Sequence, residues 1–122
     1  MTAPLTIGFL FNHDAGHQIA HTAPIIAALA GEGDVAVTVL ASSPAQEAGV
    51  RALLPADAAG RVTFVQLDVG PWAARIDRLA RWIAPFRRVA VLKANLARFA
   101  ALDALVVPET TTAFLRTRFG LD

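Results

Sequence analysis

The chain has 122 residues, of which 55% are hydrophobic and 17% charged, with a formal net charge of +1 and no cysteine. That composition excludes global disorder and suits one packed core of ordinary domain size. It also excludes a disulfide framework, a thiolate nucleophile and a cysteine-based zinc site.

The N-terminal MTAPLTIGFLFNHD carries no basic leader and only a short apolar run, so it does not read as a signal peptide. Its run LTIGFLF (5–11) mixes β-branched and aromatic residues without polar alternation, which predicts a strand buried on both faces. A polar stretch follows. APIIAALA (23–30) predicts a helix stopped by Gly31 and Gly33, and VAVTVLA (35–41) a second buried strand. Ser43 then stands as a helix cap with Pro44 at the first helical position. That helix is expected to run to about Leu54, before Pro55, and PADAAG reads as helix ends and turns.

RVTFVQL (61–67) predicts the third strand. A long helical region interrupted by Pro85 comes next. Ile76, Leu79, Ala80 and Ile83 share one face of its first part, and Val89, Leu92, Leu96 and Phe99 one face of its second. ALVVP (104–108) predicts a fourth strand, and TTTAFLRTRFG a last helix ending near Gly120. No run reaches the length of a membrane-spanning helix. Buried strands separated by helices imply a parallel sheet with right-handed crossovers. The expected fold is therefore a three-layer, Rossmann-like α/β lobe of about four strands in the order 3-2-1-4, spanning residues 1–122 as a single domain.

In such sheets ligands bind beyond the carboxyl ends of the strands. That edge is expected to carry residues 12–21, Ser42 and Ser43, the stretch from Asp68 to Trp72, and the stretch from Glu109 to Thr112. Neither G-x-G-x-x-G nor a P-loop follows the first strand, and no acidic residue ends the second, so no dinucleotide cofactor is expected.

FNHDAGHQIAH (11–21) gathers all three histidines, His13, His17 and His21, with Asn12 and Asp14. Two readings stand side by side. Neutral imidazoles at a crevice are suited to taking a proton from a hydroxyl, which makes His13, Asp14, His17 and His21 catalytic candidates. The alternative is a set of solvated loop residues with His21 capping or packing. A metal is the minor reading. His17 and His21 are spaced i, i+4, but HQIAH has Gln18 where a zincin has its glutamate. Thr22 and Pro24 also permit a helix that begins only near Thr22, which would remove the helical spacing of the two histidines. No bound metal is expected.

Residues 72–99 hold six arginines and one lysine against Asp77 alone, a net charge of +6 that leaves −5 for the remainder. Arg75, Arg78, Arg81, Arg87 and Arg88 are the candidate anionic-surface residues, with Trp72, Trp82 and Phe86 interleaved. A solvated basic face on an amphipathic helix pair accounts for them. That is the first reading, and an anionic membrane or a polyanionic acceptor is the functional alternative to it. Nucleic acid is not expected, because the charge is confined to one segment and no aromatic platform lies on strands. In VVPETTTAFLR, Thr110 or Thr111 caps the last helix and Glu109 sits at its positive end. Asn12, Ser42, Ser43, Glu109, Thr110 and Thr111 are the candidate substrate hydrogen-bonding residues.

IGFLFNHD with HQIAH, SSP, RRVAVLKANLARF and LDALVVPETT resemble, across nearly the whole chain, the N-terminal lobe of bacterial proteins of the CDP-glycerol glycerophosphotransferase-like and GT-B glycosyltransferase families. The resemblance implies a two-lobed enzyme of cell-surface polymer or glycan synthesis, with a cleft between Rossmann-like lobes. The lack of cysteine fits a cytoplasmic location, and the basic segment would allow a peripheral place on the inner face of the membrane. The resemblance also implies that the nucleotide-activated donor is held by a C-terminal lobe lacking here, and that a hydroxyl acceptor meets the N-terminal lobe. A histidine in the loop after the first strand would then be the base. A lobe of that kind is expected to be inactive alone and to self-associate through the face meant for its partner lobe. The competing class is a non-catalytic α/β binding or interaction domain that uses the basic helices.

Overall fold

A computed structural model of the chain describes residues 3–11, 16–67 and 91–108. Four strands, β1 (Leu5–Phe11), β2 (Val35–Ala41), β3 (Val62–Gln66) and β4 (Ala104–Val106), form one sheet in the order β3-β2-β1-β4. Every pairing is parallel. The predicted α/β fold and strand order are both present. β1 and β2 have the predicted bounds, and β3 is one residue shorter at each end than its apolar run. β4 stops at Val106 rather than Pro108, because it pairs only with Ile7, Gly8 and Phe9, and proline has no N–H to extend a ladder.

Alternation along each strand divides the core into two layers. Phe9 and Phe11 of β1, Val37 and Val39 of β2 and Val62 of β3 face one side. There they meet helix α1 (Gly16–Ala30), helix α2 (Pro44–Leu53) and the single turn α3 (Ala56–Ala59) through Ile19, Ala23, Ile26, Ala30, Val50 and the partly buried Ala59. Leu10 and Leu40 face the other side and meet Val91, Leu92 and the partly buried Phe99. Ile26 and Phe9 are fully buried, and each contributes on the order of 1.5–3 kcal/mol of transfer free energy.

α1 corrects one expectation. It begins at Gly16, not near Thr22 or Ala23, and carries Pro24 in its interior. Three features permit this. Ile19, Ala23, Ile26 and Ala30 make a buried stripe at helical spacing, so the first turns are held to the core. Thr22 is buried, and its hydroxyl donates to the Gln18 carbonyl at 2.6 Å, so the threonine is satisfied inside the helix. Pro24 and Ala20, whose carbonyl loses the proline's donor, are both exposed residues.

α2 follows its prediction closely. Ser43 is extended at φ −149° and ψ 154°, its hydroxyl accepts from the Gln46 N–H at 3.3 Å, and Pro44 opens the helix. Arg51 closes the outer side. It pairs with Glu47 at 3.4 Å and stacks 3.8 Å from the Phe64 ring centroid, tying α2 to β3. Gly49 lets α1 approach: a Cβ there would stand 3.3 Å from Ile19 Cδ1.

The stripe predicted for residues 89–99 is corrected in part. Residues 91–94 are helical, Asn95 breaks the run at φ −118° and ψ 15°, and helix α4 covers Leu96–Ala100. Leu92 and Phe99 face the core as expected, but Leu96 is 46% exposed and Asn95, at 1%, takes the inner place. Asn95 is tolerated there because its Nδ2 donates to the Val91 carbonyl at 2.7 Å. Val89 lies outside the described residues.

Candidate functional site

Register brings three strand ends onto one line. Phe11 pairs with Ala41, and Ala41 with Gln66. β1 to β3 step outward in one direction, whereas β4 returns to the other side of β1. The strand order therefore reverses between β1 and β4, and open parallel sheets bind ligands at the carboxyl end of such a reversal. The β4 ladder stops with Val106 opposite Phe9, two residues short of the end of β1 at Phe11. α1 and α2 both begin at this edge, since each follows a strand of the sheet, and both turn the positive ends of their dipoles toward it.

The described part of the edge is built from amide and hydroxyl groups. Ser42, the residue after β2, is buried. Its N–H donates to the Phe11 carbonyl at 3.0 Å and to Gln46 Oε1 at 2.9 Å. Its hydroxyl donates to the same Oε1 at 2.9 Å. Gln46 is buried as well, so this oxygen accepts two bonds out of water. Gln66 Nε2 donates to the Ser43 carbonyl at 3.4 Å, joining the end of β3 to the start of α2.

The predicted site residues divide as follows. Ser42 and Ser43 lie at the carboxyl edge, and the hydroxyls of both have the structural partners just described. His17 and His21 lie four residues apart within α1, so the helical spacing holds for the backbone, and the His21 side chain is exposed. Of the stretch 12–21 expected as the loop after the first strand, residues 16–21 are helical, so the reading in which the helix begins only near Thr22 is overturned. Asn12, His13 and Asp14 lie outside the described residues, as do Arg75, Arg78, Arg81, Arg87, Arg88, Glu109, Thr110 and Thr111. Among the described residues, no three His, Cys, Asp or Glu side chains gather into a group able to hold a metal ion, and no helix is long and apolar enough to cross a membrane.

Gln46 and Gln66 were not singled out by sequence reasoning. A signal existed for Gln46. Ser43-Pro44-Ala45-Gln46 has the S-x-x-Q spacing of a capping box, in which the glutamine side chain turns back past the helix start. Here it reaches one residue beyond the cap, to Ser42. Gln66 carries no local signal, since its partner is 23 residues away.

Comparison of the chain with protein-family models, with curated proteins and with solved structures finds no match in any of the three.

Proposed function

We propose that the chain is the acceptor-side lobe of a nucleotide-activated glycosyl or glycerophosphoryl transferase of cell-surface polymer synthesis. The donor would be held by a second lobe outside these 122 residues. The observation that carries the reading is the reversal of strand order between β1 and β4. It makes the carboxyl end of β1 the favoured ligand edge of this fold, and the histidine-rich stretch follows β1 directly in the chain. The sequence resemblance supports the same reading.

In this proposal one of His13, His17 and His21 is the general base, and Asp14 orients or charges it. The acceptor hydroxyl oxygen forms a bond to the donor's anomeric carbon or phosphorus. The bond from that atom to the nucleotide's phosphate oxygen breaks, and the hydroxyl proton passes to the imidazole. Asn12, Ser43, Glu109, Thr110 and Thr111 supply hydrogen bonds on the acceptor side, and the buried Ser42, whose hydroxyl donates to Gln46, shapes the edge beneath them. The chain alone does not turn over, because catalysis needs both reactants held in one geometry. The basic segment 72–99 would keep the lobe on the inner face of an anionic membrane, beside a cell-surface acceptor.

The test is NMR titration of the chain with a glycerol-phosphate oligomer, a neutral oligosaccharide, CDP-glycerol and a nucleotide sugar. The expected result is saturable shifts of the Gly16–His21 amides and of the Ser42, Ser43, Ala45 and Gln46 amides with an acceptor, and no saturable binding of either nucleotide. Tight nucleotide binding, or acceptor shifts confined to the amino ends of the strands, overturns the proposal.

A further inference from the structure

We draw no further inference here: the strongest candidate, the exposed outer face of the first helix formed by Pro24, Ile25 and Ala28, is an apolar face without a partner among the described residues, and nothing in the structure shows what covers it.

Discussion

Thr6 and Asp103 hold each other by two reciprocal bonds. The Thr6 N–H donates to Asp103 Oδ2 at 2.8 Å, and the Asp103 N–H donates to the Thr6 carbonyl at 2.9 Å. The pair stands one step before Ile7 and Ala104, where the β1–β4 ladder begins, and so lengthens a pairing of only three residues. The carboxylate here satisfies a strand N–H on the side where β1 meets the edge strand.

Asp103→Ala is therefore expected to cost about 1 kcal/mol, the net worth of one partly exposed hydrogen bond. Asp103→Asn keeps an acceptor oxygen and is expected to retain most of the stability. Urea unfolding measures both, and hydrogen exchange at the Thr6 amide locates the effect. Unchanged exchange at Thr6 in Asp103→Ala would show that the bond does not protect the amide in solution.

Gly8 lies where three leucine side chains converge. A Cβ at this position would overlap Leu102 Cδ1, and it would stand 3.0 Å from Leu40 Cδ1 and 3.3 Å from Leu105 Cδ1. Gly8→Ala is expected to destabilise by about 1–3 kcal/mol through overpacking. The side chains are flexible tips, so Leu102→Ala in the same molecule should recover part of the loss, giving a favourable coupling in a double-mutant cycle. Additive losses would place the strain in the backbone of β1 instead.

Gln46 Oε1 is the buried acceptor for both polar donors of Ser42. Gln46→Leu leaves the Ser42 hydroxyl without that acceptor and is expected to cost about 1–3 kcal/mol. Adding Ser42→Ala removes the stranded hydroxyl and should restore part of the stability. A double variant no more stable than Gln46→Leu alone would mean that the hydroxyl finds another acceptor.

The basic segment makes a prediction about salt. Each basic residue near an anionic surface contributes on the order of 1 kcal/mol, and salt screens this over roughly 10 Å at moderate ionic strength. Co-sedimentation with anionic vesicles should weaken on raising salt, weaken further in Arg78→Glu, Arg81→Glu, and be low with neutral vesicles throughout. Equal binding to both lipids, or indifference of a folded variant to the charge reversal, makes 72–99 an ordinary solvated face.

Strand identity was legible in the residues. LTIGFLF and VAVTVLA are short β-branched and aromatic runs with no charged residue, a pattern that suits burial between two helical layers, whereas RVTFVQL is a strand whose Thr63 and Gln66 are exposed at the end of the sheet. Ser43 and Pro44 marked the start of α2 for an equally local reason, since a cap needs only its own hydroxyl and the N–H three residues on. The strand order followed from chain-order rules for parallel sheets.

What the tertiary structure decided were choices whose cost depends on the environment. Pro24 reads as a helix boundary from sequence, yet α1 runs through it because the proline falls on the outer face and Ile19 is buried one turn from the start. Leu96 outranks Asn95 as a core residue by hydropathy, yet the helix break and the bond to Val91 put the asparagine inside. Gln66 meets Ser43 only because β3 lies beside β2. Propensity and periodicity report on a residue and its helical or strand neighbours. Which face is outside, and which distant donor is within 3.5 Å, is set only when the layers are assembled.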